Sequence, residues 1–495
     1  MKMRYLVILL FLCLSLPLAT SSTDAERLCV LEKKMDVLEP VGMSRGLATS
    51  DSDRIAALER RMDALELLCV ARAGMERHCL VPEVLNGEAS CPKKMPPGSE
   101  CSVKCNPGYV PTPGKDKAEC KDDGFWTIEM ECEIPVVIIS GGLVDQGSGD
   151  SSVEIVSLFP SQGCDKKLEP MPLVDGVKRT LHNMFYLPRY GRIMACNGLT
   201  DKHMASCDAL SLKTNTWEQS ISYPNRGSRG DMGICAWSDY DCSGRHPYPE
   251  KGRYAAQGAI INGRATILGG MVYDKKGHDP VNTIRYMIEG DKSQRMRDLR
   301  EDYWGGARRR MGKSRAFFCT SEVENGLLLI GGLSRDKKTS VVENSVQFSS
   351  KDTLDGYGED TRMLANMTIP RSGHGCAAVT GNFSVVVTGG TQGFGGTALT
   401  DAEVFSWSSN SWRKIASMNV GRFGHAVVNV GNRVFAIGGD DRNNNYMDTI
   451  EEYNAKENTW KIINKKLQKA RSNFGFTIVP HSIFDGCVID RPLNE

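Results

Sequence analysis

Residues 421–460 read GRFGHAVVNVGNRVFAIGGDDRNNNYMDTIEEYNAKENTW. An apolar run, a short turn (Val430-Gly431-Asn432) and a second apolar run lead to Gly438-Gly439. A polar loop follows, then two more runs that place Tyr453 and Trp460 seven residues apart. Short β-rich runs with turn residues between them form antiparallel strands, so this stretch predicts four strands in one sheet.

The pattern recurs through the C-terminal two thirds of the chain. Gly-Gly stands at Gly141-Gly142, Gly269-Gly270, Gly331-Gly332, Gly389-Gly390 and Gly438-Gly439, with Asn197-Gly198 as a degenerate sixth. An arginine precedes five of the six by 16 or 18 residues: Arg179, Arg253, Arg315, Arg371 and Arg422. The aromatic-to-Trp spacing recurs at Phe405 and Trp412, and with leucine at Leu210 and Trp217. The first, third and fourth copies lack a clean Trp. These residues resemble the kelch repeat, and a period near 50 with four strands implies propeller blades. The first copy, VVIISGG, starts at Val136 without a preceding first strand, whereas KARSNFGFTIV (469–479) is a first strand without a successor. Pairing the two removes open sheet edges. The fold class predicted is therefore mainly β: a six-bladed kelch-type β-propeller over 135–482, closed by its C-terminal strand, with 483–495 as a tail. Gly-Gly, Arg and the aromatics are structural in this reading, and His374 and His425 pack in first strands.

Residues 78–133 form a second region. Six cysteines crowd into 79–132, too many for ordinary usage, and a segment this small needs covalent restriction of its unfolded state. Cys79, Pro82, Asn86, Gly87, Gly98, Cys105, Gly108, Tyr109, Cys120, Gly124, Trp126 and Cys132 resemble a sushi (complement control) module. The resemblance implies the pairs Cys79–Cys120 and Cys105–Cys132, with Cys91 and Cys101 as an additional bridge. Sequence alone leaves about 15 connectivities open.

The N-terminal part divides again. MKMRYLVILLFLCLSLPLATSS has a basic start, an apolar run and small residues, the layout of a cleaved secretory signal over 1–21. Over 22–74, RLCVLE, KMDVLE, RIAALE and RMDALE place apolar residues at heptad a and d positions, with Arg or Lys and Glu flanking them. A Pro- and Gly-bearing break interrupts the pattern at 40–51. The unit resembles a trimer-specifying coiled-coil motif, so a homotrimer or other homo-oligomer is predicted, with Cys29 and Cys69 as interchain candidates. A helix packed on its own chain is the alternative.

Formal net charge is +1, and loss of Lys2 and Arg4 with the signal leaves −1, so no global field favours nucleic acid or a membrane. Of 17 cysteines Cys13 falls in the signal, leaving an even number for an oxidising compartment. The prediction is a secreted, extracellular recognition or adhesion protein, with a structural matrix component as the alternative. No cofactor or membrane span is expected. Catalysis is not expected either. Eight scattered histidines give no ligand cluster, so a galactose-oxidase-like copper enzyme is the weaker reading.

In an antiparallel blade the 2–3 loop and the blade-to-blade connection leave on one face. The long segments belong to that class: 218–252, 271–282, 289–314 and 391–400. Long loops on a rigid ring are where binding belongs. Arg229, Gly230 and Asp231 lie there and resemble the integrin-recognition tripeptide. Asp231 would complete a receptor's cation site and Arg229 would pair with a carboxylate. Cys235 and Cys242 could clip the loop. Arg308, Arg309 and Arg310, read as part of a connection, could hold sulfated polysaccharide. Asp239, Asp241, Ser243, Gly244 and Glu250 match a calcium-loop spacing. For each of these the competing reading is a solvated loop. Asn366 and Asn382 open glycan acceptor sequons. Partners would be an extracellular protein or glycan, with an integrin-like receptor among them.

Overall fold

Val136, Val137, Ile138 and Ile139 are apolar at successive positions, so both faces of a strand here must be covered. In the computed structural model this strand, Pro135–Ser140, is the middle of a three-stranded sheet, and all four side chains are fully buried. One neighbour is Val153–Val156. The other is Gly475–Pro480, with Gly475 opposite Ser140 and Pro480 opposite Pro135. The structure describes residues 78–489 except 174–177, 200–205, 223–252, 275–276, 282, 289–302, 324, 337–338, 355–360, 380–383, 394–395 and 444. The chain divides into two compact units: Met1–Val81 with Cys91–Glu100 and Glu119–Thr127, and Pro82–Ser90 with Cys101–Ala118 and Ile128–Glu495. The heptad segment lies outside the described residues.

In the first unit Cys79–Leu80 pairs with Lys94–Met95, and the Cys79–Cys120 disulfide ties the strand to a turn. Trp126 Nε1 donates to the Leu80 carbonyl (2.7 Å) and Gly98 N–H to the Cys120 carbonyl (2.8 Å). In the second unit Gly87–Ala89 pairs with Glu100–Cys105, and Val110–Pro111 with Cys132–Glu133. Cys105 is bonded to Cys132. Cys91 and Cys101 are both disulfide-bonded.

The second unit also holds five four-stranded sheets beside the three-stranded one. Their first strands are Asn183–Leu187, Gln257–Ile261, Cys319–Val323, Gly375–Val379 and Ala426–Val430, and each sheet runs 1-2-3-4 in chain order. Apolar residues of adjacent sheets interlock between them; Phe405 and Phe435 are fully buried. Where the sequence pairs a Trp it faces its partner across the third and fourth strands, Leu210 with Trp217, Phe405 with Trp412 and Tyr453 with Trp460, and the third sheet adds Met287 opposite Trp304. In the first three pairs the indole N–H reaches back to Glu169, Ala365 and Ala416 carbonyls, 2.8–2.9 Å away. In the fourth sheet Ser349 and Thr361 hold the equivalent places, and one position along Arg362 lies 5.0 Å over Phe348, a cation–π contact.

The Gly-Gly positions have a stereochemical cause. Both residues of each pair have positive φ, 58–66° at the first glycine and 84–98° at the second; Asn197 and Gly198 match at 62° and 108°. Only glycine, or less often Asn, enters this region cheaply. The turn points the first residue's carbonyl out of the ladder, and a buried arginine meets it. Nη1 of Arg179, Arg253, Arg315, Arg371, Arg422 and Arg471 donates to the carbonyls of Asn197, Gly269, Gly331, Gly389, Gly438 and Gly141, at 2.6–3.2 Å. All six arginines are at most 5% exposed. The charge is met by acids: Asp208 for Arg179, Glu403 for Arg371 (2.9 Å), Glu451 for Arg422 (3.0 Å) and Asp150 for Arg471 (3.3 Å). Arg315 uses Ser345 Oγ, which itself donates to Glu343.

The same arginines link neighbouring sheets through their backbone. Their carbonyls accept the N–H of Gly142, Gly198, Gly270, Gly332, Gly390 and Gly439, each from the preceding sheet, at 2.8–3.2 Å. A second series runs Leu181 to Asn473, Ala255 to Leu181, Phe317 to Ala255, Gly373 to Phe317, Gly424 to Gly373 and Asn473 to Gly424, all N–H to carbonyl at 2.8–3.2 Å. The series returns to its starting residue.

Four expectations need correction. The first sheet has no fourth strand in its ladder, because Ser161–Gln162 pairs instead with Val488–Ile489. Residues 483–489 are therefore not a tail: Phe484 and Ile489 are buried and Cys487 is bonded to Cys164. Segment 271–282 is a hairpin, Met271–Asp274 on Gly277–Pro280, rather than an open loop. Arg308, Arg309 and Arg310 lie in Tyr303–Arg310, the outer strand of the third sheet, not in a connection. Their strand has a bulged register, which hides the alternation that would mark it as β.

Removing one partner of a buried ion pair leaves the other charged and unpaired, which costs about 3–5 kcal/mol, whereas replacing both with apolar groups costs far less. Glu451→Leu and Arg422→Met should each destabilise by about that amount in urea titrations, and the double variant by clearly less than their sum. Additive losses would count against this pairing as the joint's energetic unit.

Candidate functional site at the loop end

The connections entering each sheet and the segments after each second strand meet at one end of the second unit. Single bridges record this: Leu143 with Ser472, Thr180 with Leu199, Tyr254 with Met271, Ala316 with Leu333, Ser372 with Thr391 and Phe423 with Asp440. Three of the segments form hairpins, at 143–149, 271–280 and 333–342. Arg335 of one pairs with Asp279 of its neighbour.

At the centre of this end stand the six residues of the returning series, Leu181, Ala255, Phe317, Gly373, Gly424 and Asn473. All have positive φ, and all but Ala255 are half-buried. Leu181 and Phe317 pack with Tyr254, Ala255, Met271 and Leu333 in an apolar patch. Phe317 meets both Tyr254 and Phe423 at 6.3 Å between ring centres. Exposed Arg442 lies 4.5 Å over the buried Phe423 ring. Asp441 fixes the Arg442 loop by accepting from the Asn443 N–H (2.7 Å) and Asn445 Nδ2 (2.7 Å). These hydrogen bonds hold its carboxyl below the usual range against the opposing effect of burial. An apolar centre with fixed charges around it can dock a complementary surface.

One position further along each chain lies a second layer: His182, Ala256, Phe318, His374, His425 and Phe474. The His and Phe rings face the Gly-Gly turns, where a Cβ would come within about 3 Å of a ring carbon. His182 bonds Ser140 Oγ and His425 bonds Thr388 Oγ1, both at 2.8 Å. Burial first, then the neighbouring arginine, pushes all three imidazoles down, His374 to about 3. They are neutral packing groups. Among the described residues no three His, Cys, Asp or Glu side chains are placed to share a metal ion. A cavity of about 1530 Å³ follows the first strands and is lined by Asn183, Gln257, Thr320, Ala377, Asn429 and Thr477 among others.

Arg229, Gly230, Asp231, Asp239, Asp241, Ser243, Gly244, Glu250, Cys235, Cys242, Cys29, Cys69 and Asn382 lie outside the described residues. Asn366 is exposed, just past Thr361–Leu364. The other pairs of cysteines are Cys196–Cys207 and Cys319–Cys376. Sequence reasoning missed the acids and Arg442. A signal for the acids existed: Asp208, Glu403 and Glu451 each stand two residues before the partner of a Trp.

The chain matches the kelch motif at 370–419 and 421–466 and the sushi (SCR) repeat at 79–132. A putative F-box/kelch-repeat protein of Arabidopsis thaliana is 28% identical over 96 residues, 19% of this chain and 28% of that protein. Kelch-like protein 15 of Danio rerio and of Homo sapiens are each 36% identical over 59 residues, 12% of this chain and 10% of theirs. The chain thus spans less than a third of these relatives. The solved structure titled "Structure of YjhT" aligns with a TM-score of 0.44 and 15% identity, covering 66% of this chain and 97% of that one. The chain thus carries kelch motifs and a sushi repeat, modules that suggest protein interaction. No helix among the described residues is long and apolar enough to cross a membrane.

The buried imidazoles make stability depend on pH. Unfolded, each titrates near 6.5; folded, each resists protonation. Their contribution is whole above about pH 6.5 and is lost as pH falls below it, by up to about 1.4 kcal/mol per unit per histidine. His374→Phe copies Phe318 and Phe474 at the same position, so it should fold and lose less stability between pH 7.5 and 4.5 than the parent. Equal losses in paired denaturant titrations would refute this origin.

Proposed function

We propose that the chain is a secreted, oligomeric recognition protein of the extracellular space, without catalytic activity. Its six sheets form a closed six-bladed kelch-type propeller, which binds a protein or glycan partner at its loop end. The observation that carries this reading is the loop end itself: hairpins and connections surround a half-buried apolar hub with Arg442 fixed beside it. The returning series of hydrogen bonds and the pairing of Gly475–Pro480 with Pro135–Ser140 support closure. The disulfides and the sushi repeat support an oxidising compartment. The heptads supply the oligomer, and several copies of one face add avidity. In chain order the Arg229-Gly230-Asp231 triplet stands between Ser222 and Arg253, and in this reading it is displayed at the same end.

The test is attachment of cells and matrix proteins to the purified oligomer. Arg442→Glu should weaken it about tenfold or more, as for a charged anchor at an interface. Lys456→Glu, in the exposed turn between the third and fourth strands of the sixth sheet, should leave it unchanged. The reverse pattern would overturn the assignment of the face. Asp231→Glu should abolish integrin-dependent attachment; retained attachment would remove the triplet but not the face.

A further inference from the structure

The turns between first and second strands lie at the opposite end, and one of them is unlike another of its type. In the third sheet the turn Asn262-Gly263 is exposed. In the sixth sheet the equivalent turn is Gly431-Asn432, and Gly431 is buried. Its N–H donates to the Gly108 carbonyl at 2.7 Å. Gly108 has φ +88°, and a Cβ there would meet Asn429 Oδ1 at 2.4 Å and Asn432 N at 2.6 Å, so no other residue fits without displacement. Beside it Tyr109 packs against the apolar core that runs between the sheets.

The exit from the cysteine-rich segment is fixed as well. Glu133 is 6% exposed, accepts the Ser482 N–H at 2.9 Å and lies 3.2 Å from His481 Nδ1. His481 also bonds the Ile134 carbonyl at 2.8 Å, and the Ile134 side chain is buried in the inter-sheet core. Pro135 then opens the middle strand of the first sheet. Boundaries between independently moving domains fall in exposed, polar linkers with few crossing contacts. Here the boundary is buried, hydrogen-bonded on both sides and has no linker residue.

We propose that Asn106–Pro111 and Cys132–Ile134 form a fixed joint, mounting the C-terminal half of the small module rigidly on the short-turn end of the six sheets. That end is then a mounting surface, and the loop end is the one left for partners. The bonded groups come from four separate parts of the chain: 106–111, 132–134, 429–432 and 481–482. This inference does not rest on the proposed function, since a rigid joint could serve any activity of the unit.

Hydrogen–deuterium exchange on the intact protein tests it, with the 262–263 turn as internal reference. The amide of Gly431 should exchange on the order of 100-fold more slowly than that turn, as expected of a buried bonded amide against an exposed turn. Gly108→Val should lose at least about tenfold of the protection at Gly431, while the ladders of the third and fifth sheets keep theirs. If that variant fails to fold, Glu133→Gln should raise exchange at Ser482 by a similar factor. Exchange at Gly431 as fast as in the reference turn, or unmoved by a folded Gly108→Val, would overturn the joint.

Discussion

The second unit depends on one bond made six times, from a buried guanidinium to the carbonyl of a residue held at positive φ. The left-handed pair ends the second strand of its sheet and turns that carbonyl away from the ladder. Left unmet in a water-free interior, it would cost several kcal/mol. Arginine reaches it, and its remaining donors then require an acid or a hydroxyl, which the third strand supplies at Asp208, Glu403 and Glu451 and the residues just before it supply at Asp150 and Ser345. Glu451 illustrates how tightly the set is joined: besides Arg422 it accepts the N–H groups of Asn419 and Val420. Glu403 does the same for Thr368 and Ile369 beside Arg371. Each arginine thus fixes its own sheet through the side chain and the preceding one through the backbone.

This bond explains the tolerance of the neighbouring layer. Once the backbones of adjacent sheets are fixed at the turn, the ring that covers the glycine can be His or Phe, because its task is to fill space. His182 and His425 add one hydrogen bond each to Ser140 and Thr388, whereas Phe318 and Phe474 add none. The packed identity varies while the polar bond does not. Apolar filling is interchangeable at constant volume, but an unpaired buried carbonyl is not.

The arginine spacing of 16 or 18 residues, visible in the sequence, is the sequence separation of the hydrogen bond itself. Asn197-Gly198 was legible as a variant turn for the same reason, Asn being the next residue to tolerate positive φ. The orphan strand led by Arg471 and the strand starting near Val136 were legible as complements through their apolar runs. Other parts were not. The outer strand with Arg308–Arg310 does carry a Trp, Trp304 opposite Met287, but it lacks clean alternation and the usual aromatic or leucine partner, and its register is shifted by a bulge. The pair Ser161–Gln162 with Val488–Ile489 is two residues long, too short for any periodicity. Arg442 could not be seen as a surface feature, because its place over Phe423 follows from the Asp441 turn, which is tertiary context rather than pattern.

The division between what repeats and what does not is also a division of labour. Gly-Gly, Arg and acid recur because the joint between sheets admits one geometry. Nothing in that joint senses the length of the segments beyond it, so these range from the six residues at 440–445 to a connection such as 223–252. A loop there can gain charge, glycine or cysteine without disturbing the frame, since the cost of lengthening a loop grows only slowly. In chain order the Arg-Gly-Asp triplet, the two cysteines that follow it and the acidic spacing at 239–250 all stand between Ser222 and Arg253. Connections of this kind on a rigid frame are where sequence is free to vary. The short-turn end has the opposite character: at Gly108 and Gly431 two glycine backbones meet, and the freedom to vary is gone.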